Sequence, residues 1–259
     1  MTASPTAASS SAASSPHERS ASVRPKLRAD DLYFGAMVLL IVGTVFLGFA
    51  RTYYLAPIYH THVRNLLIGV HGAVFTAWIV LLVVQTTLVA RRNIALHRRL
   101  GIFGAGLAVA MVGLGVAAAT DALARGFTPP GFPLGPVVFY CISTHIIAKF
   151  AVLIFFAIRL RSNGPAHKRL VLLATIPLMV AAVGRWPFAF AQPHQGLIIN
   201  LMFLSLVVFD LSTIRRIHRA TLLGLLFLIV AGALPVPIGR TAGWHKFATF
   251  ALHVRTNLH

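Results

Sequence analysis

The chain has 259 residues, of which 57% are hydrophobic and 11% are charged, and its mean hydropathy is +0.79. A soluble domain of this length cannot bury so much apolar surface, so the composition excludes an ordinary soluble enzyme and predicts a protein that lies in lipid. The formal charge of +18 comes from short basic clusters between apolar runs, which is the pattern of a membrane protein and not of a nucleic-acid-binding one. The lone cysteine, Cys141, excludes an intrachain disulfide.

The first thirty residues are rich in Ala, Ser, Thr and Pro and then become basic. A segment with so few large apolar side chains cannot form a core of its own. It is also too long and too polar to be the first part of a signal peptide. We therefore predict a disordered cytoplasmic tail over residues 1–30.

Seven apolar runs follow the tail and predict an all-α integral membrane bundle of seven transmembrane helices. A helix needs about 20 residues to cross the hydrocarbon layer, and most of the runs approach this length. Pro177 lies inside the fifth run and should kink that helix. The runs cover residues 32–50, 66–90, 100–120, 136–158, 170–186, 196–213 and 220–235, so that the predicted membrane domain is 31–236.

Two further features concern the packing and the end of the chain. The third run is full of Gly and Ala, which let helix backbones approach closely, so we predict that this helix lies in the middle of the bundle. Residues 237–259 are expected to form a tail or an amphipathic helix on the outer face of the membrane.

Basic residues are divided unevenly between the two sides of the predicted bundle. Fifteen of the 23 Lys and Arg lie in the tail and in the turns after the second, fourth and sixth runs, whereas seven lie in the other connections and at the C-terminal end. This asymmetry predicts a cytoplasmic N-terminus and an external C-terminus. Anionic lipid headgroups are the expected partners of the basic turns.

Four polar side chains that lie within or near the apolar runs are candidates for function: Gln85, Lys149, Asn200 and Asp210. A lysine at the centre of a span costs about 2.5–3.5 kcal/mol on insertion scales, so it should face a partner or a polar cavity. Asp210 is the only acid in a later helix, and a contact between Lys149 and Asp210 is our hypothesis. Such residues are typical of small-solute or ion transporters and channels.

Four histidines occur at the ends of the predicted helices. His71 and His145 belong to the outer halves of the second and fourth helices, while His97 and His167 begin the third and fifth. Facing imidazoles can ligate haem iron, so this placement indicates up to two b-type haem sites. The layout is similar to that of the transmembrane ascorbate-reducible cytochromes b. The alternative is that the histidines are structural, with His97 and His167 capping helix starts or meeting lipid phosphate.

A second histidine cluster is predicted near the outer face. It could hold zinc or copper, because three or four imidazoles suffice for either metal. No carboxylate is close to it in the sequence. Its members are His60, His62, His71 and His194.

An ordered series of motifs resembles a group of uncharacterised bacterial multi-pass membrane proteins. The resemblance covers about residues 33–245. It implies a bacterial inner-membrane protein of about seven helices and brings no established activity with it. The motifs are HG-x-x-F-x-x-W from His71 with Gln85 downstream, LHRRLG at 96–101, HKRLVLLATI at 167–176 and VFDLSTIRRIH at 208–218.

The sequence thus leaves three functions open. The first is membrane electron transfer that involves a b-type haem or a quinone, suggested by the histidines. The second is transport of a small solute or ion that uses Lys149 and Asp210. The third is a structural or assembly role without chemistry.

Overall fold

The structure is a computed structural model that describes residues 29–256, and every regular element in that range is a helix. The predicted tail lies outside the described residues except for Ala29 and Asp30, which already belong to the first helix. In chain order the helices are α1 (Ala29–Phe49), α2 (Leu66–Ala90), α3 (Ile94–Ala124), α4 (Gly135–Arg159), α5 (Gly164–Thr175), α6 (Val180–Val183), α7 (Gln195–Ile214), α8 (Arg219–Ala233), α9 (Pro235–Gly239) and α10 (Ala242–Thr256).

Seven helical segments within the described chain are long and apolar enough to cross a membrane. Each corresponds to one of the seven predicted runs, and α2 has the predicted bounds. The helices therefore confirm the all-α prediction and the number of candidate spans. Two of these segments are composite, since α5 and α6 together form Gly164–Val183, and α8 and α9 together form Arg219–Gly239.

The predicted kink at Pro177 is present as a change of helix type. Residues Ile176–Met179 form a 3₁₀ turn that joins α5 to α6. Proline has no backbone N–H and its ring crowds the preceding turn, so the regular α-helical ladder cannot continue through it. A π-helical turn, Ala50–Tyr54, extends α1 in a similar way beyond Phe49.

The prediction that α3 occupies the middle of the bundle is wrong. Of the 18 residues that make up the most apolar part of α3, only 33% are buried, whereas 67% are buried in the corresponding part of Gly164–Val183. The small residues of α3 do admit its neighbours, because a Cβ on Gly115 would lie 2.5 Å from Ile147 Cδ1 of α4. The opposite side of α3 is open, with Phe103 61% exposed and Val109 73% exposed. Close approach on one side does not require burial on all sides.

Ion pairs show which helix ends lie together. Asp31 at the start of α1 pairs with Arg92 in the α2–α3 turn at 2.8 Å, and Asp30 pairs with Lys168 of α5 at 2.6 Å. We call this the basic end, because it gathers the turns that are rich in arginine. At the far end, Asn65 before α2 donates a hydrogen bond to Asp121 of α3 at 3.4 Å. The long helices thus alternate in direction.

Candidate functional site

The side chains of His97 and His167 are positioned by two similar helix starts. Asn93 precedes α3 and Asn163 precedes α5, and each asparagine side chain accepts a hydrogen bond from the backbone N–H three residues later. Asparagine is favoured at this position because its side-chain oxygen satisfies one of the free N–H groups of the first turn. Each histidine follows its asparagine by four residues, so both occupy the same place in their helix.

These two helix starts bring the two imidazoles together at the basic end, with their ring planes nearly perpendicular. The ring centroids of His97 and His167 are 6.3 Å apart, and the ring planes are at 85° to each other. The Nδ1–H of His167 donates to the carbonyl oxygen of Ala157 in α4 at 2.8 Å. Because that carbonyl can only accept, the proton is on Nδ1, and the Nε2 lone pair of His167 is available to a ligand.

Unsatisfied polar atoms surround this histidine pair. Nδ1 of His97 and Oε1 of Gln85 are buried and have no hydrogen-bond partner within the described chain. The amide nitrogen of Gln85 donates to the backbone carbonyl of His97 at 3.2 Å, so α2 contributes to the same cluster. A buried polar atom without a hydrogen-bond partner costs about 1–3 kcal/mol. Two such atoms, one on α2 and one on α3, therefore favour a site that binds a ligand.

The outer histidines are not brought together. The ring of His71 lies 4.1 Å from that of Phe75 on the same helix, and no ring contact in residues 29–256 joins His71 to His145. His145 donates from Nδ1 to the carbonyl of Cys141 at 2.8 Å and lies 6.2 Å from Trp244 of α10. The prediction of an outer haem between these two residues is therefore not supported by their geometry.

The predicted outer zinc or copper site is wrong. The part of the chain that the structure describes contains no group of three or more His, Cys, Asp or Glu side chains that could hold a metal ion. His60, His62 and His194 are exposed, and His60 has a left-handed backbone with φ of 52°. His60 and His62 lie in the loop before α2, whereas His194 lies in the loop before α7.

The predicted contact between Lys149 and Asp210 is also wrong. Asp210 is fully buried and pairs instead with Arg169 of α5. Nε and Nη2 of Arg169 lie 2.9 Å and 2.5 Å from the same carboxylate oxygen of Asp210. The second oxygen of Asp210 accepts from Thr221 Oγ1 at 2.6 Å and from the backbone N–H of His218 at 3.0 Å. Asp210 thus joins α5, α7 and α8.

The adjoining His218 caps α8. Its Nδ1 accepts a hydrogen bond from the backbone N–H of Ala220 at 3.1 Å, which requires an unprotonated nitrogen. Burial, together with the nearby Arg169 guanidinium, lowers the pKa of His218. The lowered pKa and the hydrogen bond favour the same neutral form.

Lys149 has no acidic partner among residues 29–256. Each of the four acids between residues 29 and 256 forms an ion pair with another basic residue. Within that range no ion pair or hydrogen bond reaches the half-buried side chain of Lys149. Sequence reasoning identified Asp210 as an interior acid but missed Arg169, because Arg169 is one of four bases in the α4–α5 turn that look alike in the sequence. The signal that could have found it is depth, since Arg169 and Asp210 both lie between about one and one and a half turns from the basic end of their helices.

The chain matches no family model, no curated protein and no solved structure. The resemblance to uncharacterised bacterial membrane proteins therefore stays a prediction.

The inner pair fits a metal centre held by two imidazoles. An ion bonded to one nitrogen of each ring at about 2 Å would hold the ring centroids roughly 6 Å apart, close to the observed spacing. The hydrogen bond from His167 to Ala157 is the support that a ligating imidazole usually has on its second nitrogen. Nδ1 of His97 is buried without a partner, and so is Nδ1 of His71. The two pairs differ in that a ring contact joins His97 to His167, while none within residues 29–256 joins His71 to His145.

Proposed function

We propose that the protein is a membrane electron-transfer protein in which His97 and His167 would hold the iron of one b-type haem at the basic end. The observation that carries this proposal is the 6.3 Å separation of the two rings, with a free Nε2 on His167. When bound, such a haem supplies reversible one-electron transfer at its iron.

The residues of the chain have separate roles in this proposal. The carbonyl of Ala157 orients His167 and fixes its tautomer, while Gln85 holds the backbone of His97 against α2. Arg98 and Arg99 follow His97 directly and are exposed, so their guanidinium groups can pair with carboxylates of a group bound between the two rings. A quinone is the corresponding diffusible redox partner in the lipid.

The proposed location is the bacterial inner membrane, with the basic end in the cytoplasm. The support is the clustering of the arginine-rich turns at one end of the helices, where anionic headgroups would also lie. This orientation places the N-terminus inside and the C-terminus outside. A C-terminal alkaline phosphatase fusion should then be active and a C-terminal green fluorescent protein fusion dark. The reverse pair of signals would overturn the orientation.

The proposed cofactor is tested by the absorption spectrum of the purified protein. We expect a Soret band and, after dithionite, sharp α and β bands, with about one haem iron per chain. The sample should be expressed with added haem precursor and analysed for iron, copper and zinc. A featureless spectrum from a protein that contains zinc or copper would replace the haem by a bare metal ion, and a metal-free sample would end the redox proposal.

The second candidate function is solute or ion transport, which is favoured by a Lys149 side chain without an ion pair or hydrogen bond to any of residues 29–256. Asp210 no longer supports this candidate, because Arg169 already neutralises it. Transport through Lys149 predicts that Lys149→Met abolishes ligand-dependent flux in reconstituted vesicles while any haem content is unchanged. Unchanged flux in Lys149→Met would remove this candidate and leave a structural or assembly role as the alternative to electron transfer.

A further inference from the structure

The C-terminal helix α10 has three distinct stripes along its length. One stripe faces the bundle, where Ala248 is 2% exposed and Trp244, Leu252 and Arg255 are half-buried. Successive residues of a helix are about 100° apart, so these positions lie on one side. The remaining surface of α10 is exposed, and its apolar and polar residues lie on separate sides of the helix.

The exposed surface divides into an apolar stripe and a polar stripe. Phe247, Phe250 and Val254 are 47%, 62% and 40% exposed and lie about 120° to one side of Ala248. The polar stripe lies at a similar angle on the other side, so the two flank the bundle-facing stripe. The polar stripe consists of His245, Lys246, Thr249 and His253.

Contacts at its two ends show that α10 crosses the bundle and does not run along it. Near its start, the indole N–H of Trp244 donates to the carbonyl of Val137 at 3.1 Å, two residues into α4. At its other end, Arg255 binds Asp121 at 2.6 Å, three residues before the end of α3. Both anchors therefore lie within about 5 Å of a helix end, although roughly 16 Å of α10 separates them.

We infer that α10 is an interfacial helix that lies in the plane of the bilayer at the far end. Its phenylalanine stripe enters the boundary between headgroups and acyl chains, and its polar stripe meets headgroups and water. A lipid boundary explains why the apolar and polar stripes are on opposite sides of the bundle-facing one, since such a boundary changes from apolar to polar across the width of a helix. Tyr140 and Trp244, whose rings are 5.6 Å apart, add the aromatic residues typical of this depth.

Spin labels on the full-length protein in lipid nanodiscs test the inference. Single cysteines replace Phe247, Phe250 or Val254 in the apolar stripe and Lys246 or Thr249 in the polar stripe, on a Cys141→Ser background. Leu226 of α8, which is 55% exposed, supplies the lipid-facing control. All label positions are exposed, so the fold should be kept, and circular dichroism with gel filtration checks this.

Collision rates with oxygen and with a water-soluble nickel chelate then locate each label. We expect the ratio of oxygen to nickel rates to be several-fold higher at Phe250 than at Thr249, and to approach the ratio at Leu226. Nickel access at Phe250 equal to that at Thr249 would show that α10 is in water. Low rates for both reagents at the apolar stripe would show a protein contact, such as a second copy of the chain. Either result would overturn the inference, while a water-like Leu226 would overturn membrane insertion of the bundle itself.

Discussion

Replacing Asp210 by Asn is expected to destabilise the protein by about 3–5 kcal/mol, because it leaves a buried guanidinium without a counter-charge. Arg169 is 3% exposed and Asp210 is fully buried, so water cannot solvate the remaining charge. The amide N–H₂ of asparagine would also face one of the groups that now donate a hydrogen bond to the carboxylate, so that two donors would meet. Arg169→Met should destabilise the protein to a similar extent, because it leaves the buried carboxylate of Asp210 without a counter-charge.

The single cysteine offers the measurement. Cys141 is buried in the folded protein, so the reaction of its thiol with a fluorogenic maleimide reports thermal unfolding in detergent. Asp30→Asn is the matched control, because the Asp30–Lys168 pair is 48% and 27% exposed and should be worth less than about 1 kcal/mol. Equal midpoints for Asp210→Asn and Asp30→Asn would contradict the assignment of Asp210 as the junction of α5, α7 and α8.

Replacing Gly48 by Ala is expected to destabilise the packing of α1 against α6 by about 1–3 kcal/mol, the usual cost of overpacking. A Cβ on Gly48 would overlap the backbone of Ala182 and lie 2.8 Å from its Cα. A backbone cannot rotate away as a side chain can, so the two helices must separate. The adjacent hydrogen bond from Trp186 Nε1 to the carbonyl of Thr44, at 3.2 Å, should be lost with that separation.

Gly43 on the same helix provides the control for this substitution. It is exposed, and nothing lies within 4 Å of its added Cβ. Gly43→Ala should therefore leave the unfolding midpoint unchanged or raise it, since alanine is the better helix former. If Gly43→Ala and Gly48→Ala shift the midpoint equally, the loss would reflect α1 alone, and the close approach of α1 to α6 would be refuted.

The helices could be predicted from the sequence because their signals are local. The apolar runs located all seven spans, but they placed the third and fifth from residues 100 and 170, six residues after the starts of α3 at Ile94 and α5 at Gly164. The local signals for those two starts are Asn93 and Asn163, which cap the helices. Pro177 marked the change of helix type for the same reason. The position of α3 in the bundle was not predictable, because small residues indicate a close contact without indicating how many neighbours a helix has.

The candidate site was predictable only where its parts share a local pattern. His97 and His167 meet because each lies four residues after a capping asparagine in a turn at the same end. His71 and His145 lack such a common reference, and the six-residue difference in their distance from the basic turns corresponds to about 9 Å of depth. The partner of Asp210 depended on the packing of α5 against α7 and α8, which the sequence does not specify locally.

Haem content in four histidine variants is the measurement that tests the central claim most directly. His97→Ala and His167→Ala should each lose the Soret and reduced α bands, because each removes one axial ligand of the proposed haem. His71→Ala and His145→Ala are the matched controls and should keep wild-type haem content with a normal reduced spectrum. Haem that survives in His97→Ala and His167→Ala but disappears in His71→Ala or His145→Ala would contradict the account.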